Sequence, residues 1–171
     1  NITVTSDVMV DADSSFSHTG EAAAAAGSTL ASAGLSNDTT VLNTETLAYI
    51  GDNAQVSAKD IDITANNSVS ITSAVAAASA ALVGGNGSVG VNAIDSITKA
   101  YIGASANVTA TGTATNEGIT VAAEDTTSLS GGSGGTTVGL GNAGAAVNVN
   151  NINKDTQAYI GSNSAVNSKG I

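Results

Sequence analysis

The chain has 171 residues, a net charge of −10, 11% charged and 2% aromatic residues, and no Pro, Cys or Trp. Typical domains carry roughly 25% charged residues. This composition removes thiol chemistry and cysteine-built zinc sites and argues against nucleic acid or an anionic membrane surface as a partner. A core of large aromatic side chains is also out of reach, so stability must come from small apolar groups in close register, with most backbone groups paired.

The first segment, "NITVTSDVMV" (Asn1–Val10), alternates β-branched and polar residues and predicts a strand. Next comes "EAAAAAGSTLASAG" (Glu21–Gly34), which has the alanine content of a helix. Its counterparts further along are "SAVAAASAALVGG" (Ser73–Gly85) and "GGSGGTTVGLG" (Gly131–Gly141). Glycine costs a helix about 1 kcal/mol relative to Ala. A structure shared by all three is therefore a closely stacked strand, with a short helix in the first copy as the alternative. "IDITA", "SVSITSAV", "EGITVAA" and "AAVNVN" continue the period-two alternation. Breaks fall at Gly, Asn, Asp and Ser, and the absence of Pro suits a ladder that uses every N–H. No apolar run is long enough for a membrane-spanning helix, and no basic leader opens the chain.

The strands repeat. "AYIG" occurs at Ala48–Gly51, Ala100–Gly103 and Ala158–Gly161, and it holds all three tyrosines. A second marker, a short strand-like triplet, occurs as "ITV" at Ile2–Val4, "IDI" at Ile61–Ile63 and "ITV" at Ile119–Val121, with a fourth opening at Ile171. Ile61 to Ala100 and Ile119 to Ala158 both span 39 residues, and Ala48 to Ile61 spans 13, which sets a basic period of 52. On these markers the repeats run 1–60, 61–118 and 119–170. The first carries an insertion of seven and the second an insertion of six within "TGTATNEG". Val89, Val91, Asn92 and Ile94 match Val147, Val149, Asn150 and Ile152.

Fixed periods of this length indicate stacked repeats. The predicted fold is all-β, a single parallel β-solenoid over residues 1–171, with two or three short coils or one wide coil per repeat. Ile94, Ser96, Thr98, Ala100 and Ile102 share one strand face, taken as inward. Their counterparts are Leu42, Thr44, Thr46, Ala48 and Ile50, then Ile152, Lys154, Thr156, Ala158 and Ile160. Lys154 is the exception on that face. The opposite face, with Tyr49, Tyr101 and Tyr159, is mostly polar and is read as outward. Neither terminus shows a polar cap, which suggests a segment of a longer array whose neighbouring repeats are its immediate partners.

"GSVGVNAIDSITKAYIG" and "GAAVNVNNINKDTQAYIG", with the "ITV" triplets, resemble repeats of very large secreted filamentous adhesins of Gram-negative bacteria, the leukotoxin-type group related to filamentous haemagglutinin exoproteins. The resemblance implies a β-helical stalk, secreted or at the cell surface, exported by a type V route. It implies no toxic activity for these residues. A trimeric autotransporter head is a rival on "YIGASANVTATG", but the 52-residue period counts against it.

Catalysis is not expected. His18 is the single histidine, read as a loop or inserted-segment residue, and no nucleophile–base pair is defined around it. A β-helical carbohydrate-active enzyme, the remaining enzymatic reading, lacks Arg, Trp and clustered carboxylates. Asp7, Asp11 and Asp13, like Asp60 and Asp62, are read as solvated acids rather than calcium ligands. "GGSGG" lacks the lysine of a phosphate loop. Thr109, Thr111, Thr113 and Thr115 suggest an ice-binding array but lie in one insertion. Three glycosylation sequons start at Asn37, Asn66 and Asn107. No cofactor or metal is expected. Tyr49, Tyr101 and Tyr159 remain as a possible contact row for host glycans or proteins, or as a structural stack.

Overall fold

The computed structural model describes residues 1–115 and 117–169; the triplet expected to open at Ile171 lies outside them. Ten strands follow one another with no helix among the described residues: β1 (Ile2–Thr3), β2 (Val8–Gly27), β3 (Ala31–Ile50), β4 (Gln55–Ala58), β5 (Ile61–Ala80), β6 (Val83–Ile102), β7 (Asn107–Ala110), β8 (Ile119–Val138), β9 (Gly141–Ile160) and β10 (Ala165–Ser168). They form three parallel sheets. One long sheet is β2-β5-β8, the other is β3-β6-β9, and a short sheet β1-β4-β7-β10 closes one end. The chain is a parallel β-solenoid of three coils. Each coil is wide and flat: two 20-residue strands joined by a tight turn, then one four-residue strand.

The alanine-rich segment is strand on both sides of the turn at 28–30, so the strand reading holds in the first copy too. Register explains it. Ala23, Ala25 and Gly27 lie against Ala76, Ala78 and Ala80 of the next coil, and Ala76 and Ala78 lie against Gly134 and Thr136. Every partner along the row is a strand, and a helix would leave β5 without its ladder.

The "AYIG" spacing defines the coil. Ile50 lies over Ile102 and Ile102 over Ile160, and the four positions at +58 pair as expected. The insertion in "TGTATNEG" is also where the spacing places it, between β7 and β8, where eight residues replace the two that join β4 to β5. The other marker misleads. Ile2 pairs with Val56, in the short sheet, while Ile61 pairs with Val8 and Ile119. The first coil therefore has no seven-residue insertion; Ile2 belongs to the strand before it. Ile2 aligns with Val56, Val108 and Val166 of the short strands, while Ile61 and Ile119 open long ones, so β-branched residues occur in both strand types and a triplet alone does not distinguish them.

The interior is not uniform. At the end closed by the short sheet, Val56, Ile61, Ile63, Ile102 and Val108 form a buried apolar cluster with Ala58, Ala65 and Ala100. A second, smaller cluster is Val69, Ile71 and Ile94, with Phe16, Leu42 and Leu129 against it. Beyond it, towards the tight turns, the two long sheets face each other across Ser73, Ala77, Ser79, Asn86, Ser88 and glycines.

Candidate functional site

The outer face of the second long sheet carries the tyrosines. Tyr49 lies over Tyr101 and Tyr101 over Tyr159. Adjacent ring centroids are 5.0 Å apart, with interplanar angles of 6° and 2°. Tyr49 and Tyr159 are 50% and 42% exposed. Both faces of the Tyr101 ring are covered by its neighbours, so a sugar ring cannot stack on it. The column presents ring edges and hydroxyls instead. Burial between the neighbouring rings pushes the Tyr101 phenol above its ordinary value. Beside the column, Lys99 pairs with Asp155 at 2.7 Å, and that contact holds the Asp155 carboxyl below its usual range.

The rest of the motif is explained by the turn that follows. Among the described residues, Asn53, Ser105 and Asn163 are the non-glycine residues with positive φ, at 56°, 57° and 58°, and they occupy equivalent turns. Asn tolerates this conformation through its short polar side chain. The glycine before the second and third turns is required by stacking on the coil beneath. A Cβ on Gly103 would lie 2.6 Å from the Asp52 nitrogen, and one on Gly161 would lie 2.6 Å from the Ala104 nitrogen. Gly103 N–H donates to Ile50 O, and Gly161 N–H to Ile102 O, both at 2.7 Å. Ala104 N–H also donates to Asp52 Oδ1 at 2.7 Å.

The outer face of the first long sheet is different. Ser15, Ser68 and Thr126 form one row across the strands, Ser17, Ser70 and Ser128 the next, and Thr19, Thr72 and Ser130 a third. All nine side chains are exposed. This hydroxyl grid is the ladder that Thr109–Thr115 does not make: Thr109 is on β7, and the others lie in the insertion. Alternate Ser and Thr within each segment signal it, once the register is known. Further along the same face, an open trough of ≈ 550 Å³ lies over Ala23, Ala25, Ala76, Ala78 and Thr136.

Inside, one polar layer recurs at the same depth. Ser14, Asn67 and Asp125 form its row on one sheet, and Thr44, Ser96 and Lys154 form its row on the other. Asn67 Nδ2 donates to Ser96 Oγ at 2.8 Å and lies 3.3 Å from Thr44 Oγ1. Thr44 Oγ1 donates to Ser96 Oγ at 3.1 Å, and Ser96 Oγ donates to Asp125 Oδ2 at 2.5 Å. Lys154 Nζ lies 2.7 Å from Asp125 Oδ1, so the lysine that breaks the inward pattern meets an inward carboxylate. Burial alone would push the Asp125 carboxyl up. Lys154 and the hydrogen bonds from Ser96 and Asn67 outweigh it and hold the group below the usual carboxylate range.

The remaining candidates are dispersed. His18 is in β2, not in a loop. Its side chain is half-buried on the inward face, stacked near Phe16 and in register with Ile71. An alternating strand pattern places it there, and its polarity does not move it. Asp13 accepts a hydrogen bond from Asn66 at 2.9 Å, and Asp60 accepts one from the Gly118 N–H at 2.6 Å. Asp62 lies beside Met9, and Asp11 beside Thr64. Among the described residues, no three His, Cys, Asp or Glu side chains gather as metal ligands. Glu117 caps the insertion, accepting from Thr113 and Ala114 N–H groups and pairing with Lys59.

Comparison with protein-family models, with curated proteins and with solved structures finds no match. The geometry is therefore the ground for any functional reading.

Proposed function

We propose that this chain is a non-enzymatic structural and adhesive stalk segment of a secreted or surface-exposed filament of a Gram-negative bacterium. The observation that carries this reading is the unbroken register of 20-residue strands through all three coils. Such a ladder transmits load along its axis through many parallel hydrogen bonds. Its surface hollows are open troughs between side-chain rows. The sequence resemblance to filamentous adhesin repeats points the same way. A stalk should resist trypsin and chymotrypsin at neutral pH and should bind no immobilised glycan on its own. Rapid cleavage within the long strands would count against it.

A second reading, a module that binds host glycan or protein, is favoured by the exposed hydroxyls of the tyrosine column. It predicts saturable binding on a glycan or host-protein array that is lost in Tyr101→Ala. With the ring faces covered, Tyr101→Phe should lose it as well.

A further inference from the structure

The polar layer inside the solenoid is neutral in the first two coils and charged in the third. Ser14 and Thr44 occupy it in the first, Asn67 and Ser96 in the second, and Asp125 and Lys154 in the third. We propose that the Asp125–Lys154 pair is an acid-labile latch that holds the third coil on the second.

The geometry makes one carboxylate do two things. Asp125 Oδ2 accepts hydroxyl hydrogen bonds from Ser96 and Thr98 of the coil beneath, at 2.5 and 3.2 Å. Asp125 Oδ1 faces Lys154 Nζ at 2.7 Å. The Asp125 side chain is 1% exposed and that of Lys154 is 28% exposed. The lysine also donates to the Asp125 backbone oxygen at 3.0 Å. From β9, Lys154 is the charged group facing Asp125; Ser96 and Thr98 from β6 and Asn67 from β5 are neutral, and Glu124 beside it on β8 is on the outer face. Protonating Asp125 therefore removes the counter-charge of Lys154 and weakens the carboxylate's charge-assisted hydrogen bonds from Ser96 and Thr98 of the coil beneath.

The sign follows from linkage. A carboxyl held below its unfolded value of ~3.9 contributes stability above that pH, and the contribution is lost as pH falls through the folded value. The latch is closed at neutral pH, and its contribution is lost progressively in acid as pH falls below the ordinary carboxylate range.

Hydrogen exchange of the full chain, read by mass spectrometry and corrected for intrinsic rates at each pH, tests this. On acidification from pH 7 to pH 3, protection in β8 and β9 should fall about tenfold or more relative to β5 and β6, beyond any difference present at pH 7. Lys154→Arg should keep this response, and Asp125→Asn with Lys154→Gln should abolish it. Equal loss across all strands in the unaltered chain would overturn the latch, as would the same differential loss in the double variant.

Discussion

The two ends of each flat coil are built differently. Near the short sheet, Ile61, Ile63, Ile102 and Val108 are fully buried, each coil supplies three strands, and the chain turns through Gly, an αL residue and a small residue. Near the tight turns, the long sheets approach so closely that the interior is mostly Ala, Ser, Asn and Gly, with Val75 the larger apolar group among them. There Ser79 Oγ, Ser88 Oγ, Asn86 Oδ1 and Asn92 Oδ1 are buried with no protein hydrogen-bond partner. Each such atom costs about 1–3 kcal/mol, while each large side chain at the other end contributes about 1.5–3 kcal/mol. The contrast teaches that the ladder can be continuous while the stability is not. The short-sheet end anchors the coil, and the turn end is held by hydrogen bonds and thinness.

The sharpest way to break this contrast is at the anchor. Ile63→Ala should destabilise the chain by about 2–5 kcal/mol, read as a lower urea midpoint. A comparable loss from Val75→Ala, in the thin half, would show that the two ends are equally important. The stacked turns come next. Gly103→Ala should cost about 1–3 kcal/mol because its Cβ has no room. Gly51→Ala should be nearly neutral, since nothing lies within 4 Å of its Cβ position. Equal effects from the two would remove the stacking argument for "AYIG". Tyr101→Ala should cost about 1–2 kcal/mol through its two ring contacts, with Tyr101→Phe close to the parent in thermal unfolding. Among the destabilising changes, the smallest effect is expected in the thin half. A Cβ on Gly135 would press on the Asn86 amide, whose side chain can shift. Gly135→Ala should cost about 1 kcal/mol, and combining it with Asn86→Ala should recover part of that loss in a double-mutant cycle.

Much of the fold was legible because a solenoid writes its register as a period. "AYIG" carries that period without ambiguity, since Gly103 and Gly161 are required by the coil beneath and Tyr by its column. The Ile2 triplet misled because short strands carry β-branched residues too, at Val56 and Val108, and only the pairing of Ile2 with Val56 separates it from the long strands that open at Ile61 and Ile119. Lys154 could be placed on the inward face from alternation, but its partner could not, because Asp125 lies across the interior on another strand. The same holds for the hydroxyl grid. Ser15, Ser68 and Thr126 are distant in the chain and become neighbours only once three coils are aligned.

The wide coil has a mechanical consequence. Ile50 and Ile102 are stacked neighbours but are separated by 52 residues of chain. Successive strands in a sheet are ~4.8 Å apart, whereas 52 extended residues reach about 170 Å at ~3.3 Å each. Peeling off one coil therefore shortens the rod by a single strand spacing and releases some 35 times that length of tether, by the same strand dimensions. Under tension such a segment is a spool: stiff while wound, and able to yield one long, discrete step for each coil that lets go.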